Sequence, residues 1–305
     1  MRIVFMGTPE FAVASLDALL KANCNIIGVV TAPDKPAGRG QKVNEAAVKK
    51  FALENNLKIL QPEKLKNPQF VEELRALQAD LQVVVAFRML PEIVWNMPKN
   101  GTINLHASLL PQYRGAAPIN RAIMNGETES GATTFFLKHE IDTGDILFSE
   151  KVPINNSDTA GDLHDKLMKT GALLLVKTVN AIKENKYTEI PQENATEGQH
   201  LKHAPKIFKD DCEINFNQEV QKVYNHIRGL SPHPAAFTKF KDKNLKIYHA
   251  DTEVKDHDIL PGKFLTDEKT YIKFACTNGF IIATDIQFEG KKRMKTDEFL
   301  RGFRF

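Results

Sequence analysis

Asn104 and His106 stand two residues apart in the run Asn104-Leu105-His106-Ala107-Ser108-Leu109-Leu110-Pro111. The stretch over 102–106 reads as a β-strand, and residues two apart on a strand project from the same face. A carboxamide beside an imidazole at a strand end can hold an electrophile. Asn donates to an oxygen that gains negative charge, and His donates or exchanges a proton near neutral pH. Ligands of an open α/β sheet sit beyond the carboxyl ends of its strands, where this pair falls. The same residues could equally satisfy the backbone of the following loop, and spacing alone leaves both readings open.

The elements that must position the pair are legible in the surrounding pattern. An apolar run at residues 2–7 ends in Gly7, and Phe11, Leu16, Leu19 and Leu20 then recur at helical spacing. Strand-type runs at 26–30, 58–60, 81–87 and 102–106 alternate with helical stretches at 44–56, with Asn44 as N-cap, and at 68–77 and 91–95. This alternation predicts an α/β, doubly wound (Rossmann-like) domain, a parallel sheet covered by helices. Residues 132–137 and 146–152 flank Asp142-Thr143-Gly144-Asp145 and predict an antiparallel extension. A long amphipathic helix is expected over 159–184. The polar stretch 187–205, with Pro191 and Pro205, reads as a linker between a first domain, 1–186, and a second, 206–305. In the second, a helix near 218–229 precedes short strands at 236–240, 245–249, 264–265, 271–275, 279–286 and 287–288, the pattern of a small C-terminal β-barrel.

The 305 residues are 42% hydrophobic and 26% charged, which excludes disorder, collagen and a continuous coiled coil. No apolar run nears the ~18 residues of a membrane span. The apolar part of MRIVFMGTPEF is too short for a secretory signal and leads straight into a strand. A cytoplasmic chain is expected, with Cys24, Cys212 and Cys276 as reduced thiols too far apart for a metal or redox pair. Gly7-Thr8-Pro9-Glu10 matches neither GxGxxG nor GxxxxGK[ST], which argues against a dinucleotide or ATP site. The net charge of +3 falls entirely within 206–305, where Lys239, Lys241 and Lys243, and Lys291-Lys292-Arg293, could meet a polyanion. The loop over 33–42 carries Lys35, Arg39 and Lys42 among Pro, Ala and Gly residues that prevent helix.

NLHASLLPQYRGAAPINRAIMNG (104–126) and SGATTFFLKHEIDTGDI (130–146) resemble the formyltransferase family that uses 10-formyltetrahydrofolate. The similarity extends over almost the whole chain, through FMGTPEFA (5–12), APDKPAGRGQK (32–42), LQPEKLK (60–66), APKIFKDDCEINF (204–216), IRGLSPHPAAF (227–237) and LPGKF (260–264). Within the family it is nearest to members that act on methionyl-tRNA.

The resemblance implies a formyltransferase catalytic domain followed by an OB-like tRNA-binding domain, with 10-formyltetrahydrofolate as formyl donor and no metal. The family's catalytic triad falls on Asn104, His106 and Asp142. Asn104 and His106 would stabilise the oxyanion, while Asp142 pairs with His106 and relays the proton. Ser108, Leu109, Leu110 and Pro111, with Phe87, Arg88, Met89 and Leu90, match the folate-contacting segments. Arg88 stands where many relatives carry Gly, and His233 and Ala235 where Trp and Gly are common. Lys35, Arg39, Lys42 and Lys206 would meet the tRNA. The expected partners are initiator methionyl-tRNA and folate, with no membrane and a monomeric chain. Formylation of a small amine, such as glycinamide ribonucleotide or an amino sugar, and a nonenzymatic RNA-binding role are the alternatives.

Overall fold

The computed structural model describes residues 1–37, 42–195 and 200–304, with only the backbone at 35–37, 42–44 and 195. The chain forms two compact units. The first comprises Met1–Gly115, Gly131–Val152 and Asp165–His203. Its opening elements are β1 (Arg2–Gly7), α1 (Glu10–Lys21), β2 (Asn25–Val30), β3 (Lys35–Ala37), β4 (Lys42–Asn44), α2 (Ala47–Glu54), β5 (Ile59–Leu60), α3 (Pro68–Ala76), β6 (Leu81–Val85), α4 (Glu92–Trp95) and β7 (Thr102–His106). β8 (Arg114–Gly115), α5 (Pro118–Met124), β9 (Glu129–Phe136), β10 (Ile146–Pro153) and α6 (Ala160–Glu184) follow.

Seven strands make the main sheet in the order β10-β9-β7-β6-β1-β2-β5. The five from β5 to β7 pair in parallel, and β9 joins β7 antiparallel. The central strand is apolar on both sides because both are covered: Ile3, Val4, Phe5 and Met6 are at most 1% exposed. On one face Val4, Met6, Val30 and Val84 pack with Phe70, Val71 and Leu74 of α3. On the other, Leu105 of β7 lies against Gly171 of α6, where a Cβ would stand 3.0 Å from the leucine Cδ2. A capping box starts α6. The Thr159 N–H donates to Asp162 Oδ2 (2.8 Å), and the Asp162 N–H donates to Thr159 Oγ1 (3.2 Å).

Several boundaries differ from the sequence reading, two of them in this unit for a visible reason. Asn44 is not a helix cap: it pairs with Lys35 across the β3–β4 hairpin, and the helix begins after Ala46. β6 stops at Val85 because Ala86 takes a left-handed φ of 46°, which swings the next residues out of the strand.

The second unit gathers Ala116–Ser130, Pro153–His164 and Ala204–Phe305. After β11 (His203–Ala204) come α7 (Val220–Leu230), β12 (Ala236–Phe240), β13 (Lys243–Val254), β14 (Phe264–Thr266), β15 (Ile272–Ala275), β16 (Gly279–Phe288), β17 (Met294–Lys295) and α8 (Thr296–Arg301). The strands form an antiparallel sheet in the order β12-β13-β16-β15-β14, with β17 on β16. Its core brings Phe240, Phe274 and Phe288 against Val223 and Ile227 of α7 and Phe299 of α8. The strands read separately at 279–286 and 287–288 are one, because pairing with β13 continues through Lys246–Gln287 to Leu245–Phe288. Earlier in the chain, α5 joins this unit: the Asn120 side-chain amide donates to the Gly229 carbonyl of α7 at 2.8 Å.

Candidate active site

Leu105 points towards α6, so Asn104 and His106 face the opposite side of the sheet, at the carboxyl end of β7. β7 lies between β6 and β9. Asn104 stands opposite Val84 on one flank and Phe135 on the other, and His106 opposite Thr133. His106 is 7% exposed. Its Nε2 lies 2.9 Å from the Tyr113 carbonyl oxygen. A carbonyl only accepts, so Nε2 carries a proton. The other ring nitrogen, Nδ1, lies 3.8 Å from Asp142 Oδ2. That oxygen also accepts the Gly115 N–H at 3.0 Å. Neither Asp142 Oδ1 nor the half-buried Asn104 carboxamide makes a hydrogen bond among the described residues. Amide donors and a carboxylate oxygen therefore remain for a ligand around a fixed imidazole.

The turn bearing Asp142 is tightly constrained. Asp142 itself is left-handed, with φ 56°. At Gly144 a Cβ would collide with the Phe136 carbonyl oxygen, so only glycine lets the turn lie this close to β9.

The two loops matched to the folate segments divide their residues between interior and surface. Ser108 is fully buried and its hydroxyl donates to the Gln112 carbonyl at 2.6 Å. Thr133 Oγ1 donates to the Ser108 carbonyl (2.7 Å) and accepts the Leu110 N–H (3.1 Å). Leu110 packs with Phe135 and Ile146 and Pro111 is buried, whereas Leu109 is half-buried. After β6, Phe87 and Leu90 pack on the α3-side core, while Met89 is 74% exposed. Arg88 turns back from the loop to the Pro62 and Glu63 carbonyls, the latter at 2.8 Å, and burial lowers its guanidinium pKa. An open cavity of about 690 Å³ beside this loop is lined by Lys64, Leu65, Met89, Leu90 and Ile93 among others.

Among the cations matched to tRNA, Lys35 and Lys42 lie on the two strands of the β3–β4 hairpin, and Arg39 lies outside the described residues. The hairpin root is tied down by Asp34, which accepts from Lys49 at 2.5 Å and Gln61 at 2.9 Å. These two donors hold its carboxyl below the usual range. In the second unit, Lys206 is exposed, with its ammonium 5.4 Å from the Phe208 ring centre. Arg293 is engaged internally: it grips Asp285 at 2.9 and 2.8 Å and lies over Tyr248. Of the 291–293 cluster, only the two lysines keep an unshared charge for a polyanion. Among the described residues no group of three or more His, Cys, Asp and Glu could hold a metal, and no helix is long and apolar enough to cross a membrane.

Four participants escaped the sequence reading: the Tyr113 carbonyl, the Gly115 N–H, Thr133 and Gln192. The first two are main-chain groups with no residue signature. Thr133 meets the loop only through β7–β9 register, and Gln192 sits in a polar stretch that reads as a linker.

The model of the N-terminal domain of formyl transferases matches residues 1–179, and that of their C-terminal domain matches residues 206–304. The chain belongs to the formyl transferase family. Relatives in this family include the methionyl-tRNA formyltransferase of Bacteroides fragilis, 53% identical over 99% of this chain and 95% of its own length. The methionyl-tRNA formyltransferase of Flavobacterium johnsoniae is 50% identical over 100% and 97%. Among solved formyl transferases, the N-formyltransferase of Helicobacter canadensis, in complex with folinic acid and dTDP-3-aminofucose, has the same fold. Its TM-score is 0.68 at 24% identity, covering 92% of this chain and 98% of that one. The sugar 3N-formyl transferase WlaRD, solved with dTDP and 5-N-formyl-THF, gives a TM-score of 0.66 at 26% identity, covering 96% and 99%.

Proposed function

We propose that this chain transfers the formyl group of 10-formyltetrahydrofolate to the free α-amine of methionine esterified to initiator tRNA. The observation that carries the reading is the buried His106 imidazole held between the Tyr113 carbonyl and Asp142, with the unbonded Asn104 carboxamide on the same strand face. Full-length relatives 50–53% identical bear the name methionyl-tRNA formyltransferase, which supports the tRNA as acceptor.

The reaction needs three things of these side chains. The amine attacks the formyl carbon, and negative charge grows on its oxygen. Donors from Asn104 and His106 stabilise that charge, each worth roughly 3–4 kcal/mol in sites of this kind. The attacking nitrogen sheds a proton, for which Asp142 Oδ1 is the open acceptor, and the folate nitrogen takes one as it leaves. With Nε2–H given to Tyr113, the donor the ring has left is on Nδ1, which stands 3.8 Å from Asp142 Oδ2, beyond hydrogen-bond length, and so stays open to the oxyanion. The folate would rest on the loops after β6 and β7, where Met89 and Leu109 offer apolar surface and the backbone offers polar groups.

Lys35 and Lys42 on the anchored hairpin, with Arg39, Lys206 and an OB-like C-terminal domain, would neutralise tRNA phosphates. The division into a catalytic domain (1–186), linker (187–205) and tRNA-binding domain (206–305) belongs to this reading. The test is incubation with formyl-labelled 10-formyltetrahydrofolate and charged initiator tRNA. Label on the esterified methionine, with apparent affinity for tRNA falling steeply with salt, is expected. Label reaching only an amino-sugar nucleotide or another small amine overturns the tRNA reading.

A further inference from the structure

We infer that Gln192 is a positioning residue that holds Asp142 in its working place, although it lies in a stretch between the segments matched by the two family models. The inference rests on the proposed roles of His106 and Asp142 and deepens them.

Gln192 is 2% exposed and begins a single 3-10 turn, Gln192–Ala195. Its amide is fully used. Nε2 donates to the Asp142 carbonyl at 2.9 Å and to the Gly144 carbonyl at 2.7 Å. Oε1 accepts from Arg114 Nε at 2.9 Å and Nη2 at 2.6 Å. One side chain thus binds both ends of the constrained turn and the residue between Tyr113 and Gly115. Those two neighbours make the backbone contacts to the reactive pair: the Tyr113 carbonyl takes the His106 Nε2 proton, and the Gly115 N–H donates to Asp142 Oδ2. Gln192 is therefore bonded to both segments that set the His106–Asp142 separation.

An amide is what the position demands. Two carbonyls need two N–H donors, and a guanidinium needs an acceptor. A glutamate keeps the acceptor but loses the donors, and a methionine of similar size loses both. A buried carbonyl left without its donor moves or admits water. Asp142 is held at φ 56°, and its carbonyl is one of the two that Gln192 ties down.

The test uses full-length Gln192→Met and Gln192→Glu with two readouts. Backbone amide exchange by NMR is expected to speed up at Gly115 at least tenfold in both variants, with Phe5 in the central strand unchanged. Unchanged exchange at Gly115, or uniform acceleration across the sheet, overturns the inference. In formyl transfer, kcat is expected to fall about 100-fold, with KM for folate and tRNA within threefold of wild type. Combined with Asp142→Asn, Gln192→Met is expected to lower kcat no further than about twofold. A multiplicative loss, an effect on KM alone, or unchanged kcat overturns the positioning role. If the wild-type chain does not formylate methionyl-tRNA, that reading fails by itself, and amide exchange at Gly115 still decides the role of Gln192.

Discussion

The His106 imidazole gives its Nε2 proton to the main-chain carbonyl of Tyr113, seven residues along the same chain, at 2.9 Å. A side chain is thereby oriented by a backbone atom that no substitution at residue 113 removes. His106→Ala is expected to lower formyl transfer by ~10²–10⁴-fold while leaving tRNA affinity within threefold. Single-turnover rates at saturating tRNA, set beside a binding titration, check this. A rate within tenfold of wild type would remove His106 from the chemistry.

Asn104 makes no side-chain hydrogen bond among the described residues, so removing its amide takes little from the fold. Asn104→Ala is expected to cost ~1 kcal/mol or less in stability but ~10²–10³-fold in kcat. Thermal melts and turnover on the same preparation separate the two. A large loss of stability with little change in kcat would make Asn104 structural.

Gly144→Ala drives a methyl into the Phe136 carbonyl oxygen, and the backbone must shift to relieve it. The displaced turn carries Asp142 with it, and misplacement by about 1 Å can cost ~10²-fold in rate. We expect a lower melting temperature together with a kcat loss approaching that of Asp142→Asn. Wild-type kinetics would mean that the turn tolerates movement.

Thr133→Val keeps shape but removes the hydroxyl that joins the Ser108 carbonyl to the Leu110 N–H. Each orphaned group costs ~1–3 kcal/mol. Stability in urea is expected to fall, and KM for folate to rise more than KM for tRNA. Equal changes in both would dissociate this loop from the folate.

The sheet, the helices around it and the residues able to do chemistry were legible because each writes its period or its functional group into the sequence. β1 is a continuous apolar run from Ile3 to Met6 since both faces are covered, and Asn104-Leu105-His106 alternates, with Leu105 against Gly171 of α6. What lay hidden depended on register and main-chain atoms. Nothing in the sequence states that Thr133 pairs with His106, or that the Gly115 N–H reaches Asp142. Asn44 has the residue type of a helix cap, yet pairing with Lys35 in a hairpin overrides that local preference. The division into units was hidden for the same reason: α5 joins the later part of the chain through a bond from Asn120 to Gly229, a partner 109 residues away.

A pH dependence of stability follows from the second unit. Cys276 has 0% exposure, and burial pushes its thiol from 9.0 up to about 12. The folded state therefore holds this proton after the unfolded chain has lost it. Stability from this site is complete below about pH 9, declines as pH rises towards 12, and falls by at most ~1.4 kcal/mol per pH unit. Urea denaturation of wild type and Cys276→Ala between pH 8 and about 11 checks the sign. The difference between them should shrink as pH rises, because alanine carries no such proton.

Synthesis from the amino terminus delivers Asp142 fifty residues before Gln192. A nascent polypeptide that has emerged only as far as the first family segment, residues 1–179, holds His106, its neighbouring strands and an unbraced turn. Competence then arrives late in translation, when the stretch that looks like a spacer leaves the ribosome and docks. A product released before that point lacks the amide that ties the Asp142–Gly144 turn to Arg114.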